Sequence, residues 1–308
     1  MAKNTSMAGA QDKLPLVLLG GFALALVLLG IGAFLAFSGS SPAIGGGCVK
    51  EIGVKGEIAV EDVPAGLFGG GVGGSESIAS EIRDADARGD VKAILVLIDS
   101  PGGSPVASRQ IWSALKNSSK PTVAYMREMA ASGGYYVAAG TDYIVAEPGT
   151  ITGSIGVRAT FSDLSGLFGK IGYNETMFKS GQFKDIGNPA REMTDEEKAI
   201  MQGIVDEMFG EFRGIVMEGR KGRINNARLG EIFDARVMTG RQALSYGLVD
   251  GLGDKEAAVE KAAQLAGNEK LGLCDSAGKK KGIISTLVGE YALVPYFGQI
   301  IPRWNLQY

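Results

Sequence analysis

The chain has 308 residues, 45% hydrophobic and 21% charged, and its 31 Lys and Arg against 34 Asp and Glu leave a net charge of -3. That balance, with no basic block beyond Lys279–Lys281, argues against nucleic acid as a partner. Histidine is absent, which excludes a Ser-His-Asp triad, a Cys-His pair and any His-ligated zinc.

Residues 1–13 read as a short tail ahead of an uncharged run of 24 residues, Leu14 to Phe37. As a helix this run would be roughly 36 Å long, enough to cross a hydrocarbon core of ~30 Å. It exceeds the apolar core of a cleaved signal peptide, so it reads as a transmembrane anchor. Lys3 and Lys13 precede it and no charge follows until Lys50, which leaves the N-terminus cytoplasmic and the rest of the chain outside. Residues 38–48, rich in Gly and Ser, read as a flexible linker.

From Val49 onward, apolar β-branched runs alternate with helix-length segments. The pattern predicts strands near Ile58–Val60, Ala93–Ile98, Thr122–Met126, Tyr143–Ala146 and Thr176–Lys179, with helices near Glu76–Arg88 and Pro105–Lys116. This alternation predicts an α/β layered domain. The glycine-rich run Gly66–Gly74 contains neither nucleotide-loop pattern and reads as a surface loop or flap. Thr194 to Glu197 forms a capping box, and Ile200, Ile204, Val205, Met208, Phe209, Phe212, Ile215 and Val216 mark one face of a long helix behind it. Shorter helices follow, one from Thr239 to Gly247 and one over Asp254–Ala266. The tail 268–308 is apolar from Gly282 on and is expected to lie on a membrane or a neighbouring subunit. The two cysteines, Cys48 and Cys274, make neither a disulfide framework nor a metal cluster, and whether they meet is left open.

Without imidazole, a nucleophile must find its base among Lys, Asp, Glu and Tyr. The run MAASGGYY sets Ser132 between two alanines and Gly133-Gly134, where another backbone can approach; the same serine equally suits a plain helix cap. Strand Ala93–Ile98 ends in Asp99-Ser100-Pro101-Gly102-Gly103-Ser104, a turn that exposes backbone amides. Acyl transfer needs two donors about 3 Å from the oxyanion, and Gly103 and Gly133 are the candidates.

IDSPGGS, MAASGGYY, TITGSIGV and KSGQFKDIGNPAREMT, in this order and spacing, resemble the signal peptide peptidase A family of membrane-bound serine proteases over residues 49–267. The resemblance implies a crotonase- or Clp protease-like layered α/β fold with a C-terminal helical region, assembled into rings or domes. It implies Ser132 as nucleophile, Lys184 as general base, Ser154 as the hydroxyl that orients the lysine, and Gly103 with Gly133 as the oxyanion hole. It implies remnant signal peptides in the membrane as substrates, a homo-oligomer, and chemistry that uses no metal or organic cofactor. A lysine acts as a base where apolar burial lowers its pKa from about 10.4, and Phe183 and Ile186 flank Lys184. Asp185 must then be paired elsewhere. Two rival enzymes fit less well. Ser113 to Lys116 spells the S-x-x-K of penicillin-binding proteins but lacks a proper S-D-N partner, and a crotonase acting on thioesters predicts a soluble chain with a carboxylate base. The rival of another class is a non-proteolytic membrane scaffold or peptide-binding protein of the same fold.

Overall fold

The computed structural model describes residues 46–62 and 73–274, together with the backbone of Leu306–Gln307. The predicted anchor 14–37, most of the Gly66–Gly74 loop and most of the apolar tail lie outside the described residues. Among the described residues, no helix is long and apolar enough to cross a membrane.

In chain order the elements are β1 (Cys48–Ile58), α1 (Ser75–Ala87), β2 (Val91–Gly103), α2 (Pro105–Lys116), β3 (Thr122–Ala131), α3 (Gly133–Ala138), β4 (Tyr143–Ala146), β5 (Ile151–Gly153) and β6 (Arg158–Ala159). They continue with α4 (Ser165–Lys170), α5 (Asp195–Gly219), α6 (Leu229–Ile232), β7 (Val237–Thr239), α7 (Gly240–Tyr246), β8 (Gly251–Leu252), α8 (Lys255–Leu265) and β9 (Leu306–Gln307). β1, β2, β3, β4 and β8 pair in that order and in parallel; β5 pairs in parallel with the last residues of β3, beyond those that β4 covers, and β7 joins β5 antiparallel.

β2 is the centre of this sheet because it carries an apolar run that can be buried on both faces. Ile94, Val96 and Ile98 face one core with α1, α2, α3 and the end of α5, whereas Ala93, Leu95 and Leu97 face a second core closed by Ala258, Ala262 and Ala263 of α8. The alternation of side chains along the strand therefore sorts one continuous run into two layers of helices. The α/β reading holds.

Two readings of the sequence differ from the structure, and a third question is decided by it. The first strand runs from Cys48 to Ile58, not 58–60. Gly53 and Gly56 disguise it, but its parallel pairing with β2 over Cys48 to Ile58 supplies the hydrogen bonds. Thr176–Lys179 is no strand: it pairs with no other strand among the described residues, and Phe178 is 95% exposed. Cys48 and Cys274 do meet, as a disulfide. Backbone bonds flank that link, Val49 N–H to the Gly272 carbonyl at 2.9 Å and Cys274 N–H to the Val49 carbonyl at 2.8 Å, so the end of the described domain is tied back to its first strand.

The capping box at Thr194 forms as predicted and opens α5, whose apolar face is buried only at Met201 and from Phe212 to Val216. Ile200 is exposed, and Ile204, Val205, Met208 and Phe209 are half-buried. Just past this helix, Arg220 is fully buried. Its guanidinium makes a two-pronged contact with Asp250 at 2.7 and 2.8 Å and bonds the Gly247 carbonyl at 2.9 Å. Asp250 also accepts from the Ile144 N–H of β4, which ties α5 to the sheet. Arg220→Ala leaves this buried carboxylate with only the half-exposed Arg223, at 3.2 Å, as its cation and is expected to cost about 3 kcal/mol in urea denaturation. The double change Arg220→Met with Asp250→Leu should recover much of that loss.

Candidate active site

β3 ends at Ala131 and α3 begins at Gly133, so Ser132 alone makes the turn between them. Its φ of 54° and ψ of -119° form a conformation that side chains with a Cβ rarely hold. The surroundings over-determine it. The Ser132 N–H donates to the Gly153 carbonyl at 2.9 Å, and its own carbonyl accepts from the Tyr136 N–H at 3.0 Å.

Space explains the glycines that come next. A Cβ on Gly133 would lie 2.5 Å from Ser108 Oγ and 3.2 Å from the Gly103 nitrogen, and one on Gly134 would lie 3.0 Å from the Ser100 carbonyl oxygen. The end of β2 is as tight: a Cβ on Gly103 would sit 2.2 Å from the Ile58 oxygen of β1. The Gly133 backbone therefore packs against the Gly102–Gly103 backbone, which brings the PGG turn next to the residue that follows Ser132.

The register of β3 with β5 adds Ser154. Ala131 pairs with Gly153, so the residues that come after each of them, Ser132 and Ser154, leave adjacent strands at the same level. Ser154 also has a positive φ, 51°, and its N–H donates to the Arg236 carbonyl at 2.8 Å. A cavity of about 550 Å³ opens here, lined by Gly102, Gly103, Ser132, Ser154, Gly156 and Val157, with Glu57, Arg158 and Ala235 around them. Gly133 is buried and is not among the residues that line the cavity.

Lys184 is not brought to this cavity within the protomer. It is exposed, in a series of turns within residues 171–192. This arm, with α4 before it, leaves Leu164, Leu167, Ile171, Tyr173, Met177, Phe178 and Phe183 exposed. Asp185 next to it is held by Lys179 at 2.7 Å and Arg191 at 2.9 Å, and is therefore engaged away from the lysine. Arg191 also clasps Glu197 at the start of α5.

Sequence reasoning missed Glu57, Arg158 and Ala235, which reach the cavity from β1, from β6 and from the turn before β7. Their one-residue contexts carry no motif, whereas Gly102 falls inside IDSPGGS and Gly156 and Val157 inside TITGSIGV, runs that stood out in the sequence. A second cavity of about 570 Å³ lies between α1 and α2. Ser113 of the S-x-x-K run lines it, mid-helix and away from any glycine turn.

A strained serine at a strand-to-helix turn, packed among glycines and facing a cavity, is an arrangement that nucleophilic hydrolysis can use. Residues 114–269 match Peptidase family S49, and the chain belongs to that family. It is 36% identical over 237 residues to Protease 4 of Salmonella typhi, 76% of this chain and 37% of that one. It is 33% identical over 221 residues to the chloroplastic serine protease SPPA of Arabidopsis thaliana, 70% of this chain and 32% of that one. A relative from Methanocaldococcus jannaschii is 40% identical over 187 residues, 60% of each chain. The chain thus spans less than two thirds of the length of these curated relatives.

The arm around Lys184 carries a pH dependence of its own. Arg191 first, then the Thr194 N–H, holds Glu197 down at about 2, and Arg191 with Lys179 holds Asp185 below the usual carboxylate range. Depressed carboxylates stabilise the folded arm above their ordinary pKa of about 4 and lose that contribution as pH falls through the depressed value. Hydrogen exchange over residues 182–197 should therefore rise, relative to the intrinsic rate, as pH falls from about 4 toward about 2. Arg191→Met should raise it already at about pH 7.

Proposed function

We propose that this protein is a membrane-anchored serine endopeptidase that works with a Ser132–Lys184 dyad and cleaves signal peptides or other membrane-associated peptides. The single observation that carries this reading is the strained Ser132 turn, opening into a cavity that Gly103 also lines, in a chain of family S49.

Ser132 Oγ attacks the peptide carbonyl while Lys184 Nζ takes its proton, and the Gly103 and Gly133 N–H groups stabilise the oxyanion. Lys184 then protonates the leaving amine, and water, deprotonated by the same lysine, releases the acyl group from Ser132. Ser154 orients the lysine. Since Lys184 is exposed and outside the cavity lining of its own protomer, the base comes from a neighbouring copy in a homo-oligomer. The exposed apolar side chains of the same arm, with the uncovered first half of α5, supply a surface for that contact. Burial there would also give Lys184 the apolar surroundings that Phe183 and Ile186 provide only in part within the protomer.

Substrates enter as extended chains. The rim strand β6 already takes an antiparallel partner, pairing Arg158 with Gln307 and Ala159 with Leu306. The anchor 14–37 keeps the catalytic domain beside membrane-embedded peptides and raises their local concentration. The Cys48–Cys274 bond supports an oxidising, extracytoplasmic location. The two helical layers around a parallel sheet support kinship with crotonase and Clp-type folds.

The test uses the full chain in detergent with a fluorogenic apolar peptide. Ser132→Ala and Lys184→Ala should each lower kcat/KM by at least about 10³-fold. Mixing the two inactive variants in equal amounts and letting subunits exchange should restore about a quarter of wild-type activity, because a head-to-tail arrangement then builds intact sites from one serine and one lysine. Turnover retained in either single variant overturns the dyad, and a mixture that stays inactive after proven exchange overturns delivery between copies. A wild type that neither cleaves nor labels with a serine-reactive phosphonate favours a scaffold.

A further inference from the structure

Among the described residues, three side chains other than glycine sit at positive φ: Ser132, Ser154 and Ala235. All three line the same cavity. Backbone strain of this kind, of order 1–3 kcal/mol per residue, persists where the surroundings enforce it and gathers at functional sites. Ser132 and Ser154 already have roles in the proposed proteolysis, and any role for Ala235 in the same cleft rests on that proposal.

The Ala235 conformation is enforced from both sides. Asp234 accepts the Arg236 N–H at 3.1 Å and binds the Arg236 guanidinium, which also reaches Glu231 at 2.7 Å. The Arg236 carbonyl accepts the Ser154 N–H at 2.8 Å, and Val237 pairs with Gly153. The turn at φ 63° is thus pinned to the strand that leads from Gly153 to Ser154, and its methyl group faces Gly156. The fit there is close: a Cβ on Gly156 would meet the Ala235 Cβ at 2.6 Å. One methyl group fills the space between the two segments, and there is no room for a second.

We infer that Ala235 and Gly156 form the size filter of the cleft, a gate beside Ser132 that admits a small side chain on the residue whose carbonyl is attacked. The pinned backbone makes the filter rigid. Neither segment can retreat without breaking the Ser154–Arg236 hydrogen bond, so the volume of the side chain at position 235 is read directly by the substrate. A fixed apolar wall discriminates by about tenfold or more for each carbon it refuses.

The experiment measures the second-order rate at which peptidyl phosphonates label Ser132 in the full-length protein, followed by intact mass, with an alanine-type or a phenylalanine-type side chain on the phosphonate residue. The wild type should prefer the alanine-type probe by about tenfold or more. Ala235→Gly, which relieves the strained φ, should lower that preference by about tenfold through faster labelling by the large probe. Ala235→Asn, a larger side chain that tolerates this φ, should raise the preference by about tenfold. The swap Gly156→Ala with Ala235→Gly returns one methyl group to the gate and should restore the wild-type preference to within about threefold. Thermal melts check that each variant is folded; if one is not, the remaining variants decide. Folded variants that keep the wild-type ratio within about twofold overturn the filter while leaving the Ser132 nucleophile intact. A wild type that neither probe labels overturns the nucleophile and the filter with it.

Discussion

The cleft depends on backbone packed against backbone with no Cβ between. At the ends of β2 and β3 a methyl group on Gly103 would fall 2.2 Å from the Ile58 oxygen of β1, one on Gly133 would fall 3.2 Å from the Gly103 nitrogen, and one on Gly134 would fall 3.0 Å from the Ser100 carbonyl oxygen. That packing brings the PGG turn against Gly133, the residue after Ser132, and it requires both strands to end at one level of a parallel sheet. The sheet holds the level because β2 is buried on both faces, one core under α1 to α3 and another under α8.

Strain and support are distributed accordingly. Ser132, Ser154 and Ala235 take backbone conformations that would be unfavourable in isolation, and each is fastened by a main-chain bond to, or next to, another of them. Ser132 N–H reaches Gly153, Ser154 N–H reaches Arg236, and β7 pairs with β5. The cleft is therefore one connected frame rather than a set of separate loops. The ion pair of Arg220 with Asp250 and the disulfide at Cys48 lie outside that frame and hold the helical layer and the domain's edge.

The arm that carries Lys184 obeys other rules. It has few buried apolar groups and is held by a charged clasp, Arg191 with Asp185 and Glu197, at its junction with α5. Apolar side chains exposed along it, Phe178 above all, have no place in the core of their own protomer. A segment of this kind suits contact with another molecule better than packing against its own domain.

Much of the domain was legible from residue patterns. The β2 run, the helices over 75–87 and 105–116, the capping box at Thr194 and the serine between small residues all declare themselves locally, because propensity, capping and periodicity act over a few residues. Gly53 and Gly56 hid the true extent of β1, and a short apolar run at Thr176–Lys179 mimicked a strand but pairs with none among the described residues. Ala235, Glu57 and Arg158 were silent, since a residue that enters a cleft by a long-range crossing leaves no periodic trace. The sequence by itself determined which residue types were available for chemistry, a serine between small residues and no histidine anywhere. The tertiary structure alone decided which of them meet, because strand register and the closeness of two backbones are properties of contacts far apart in the chain.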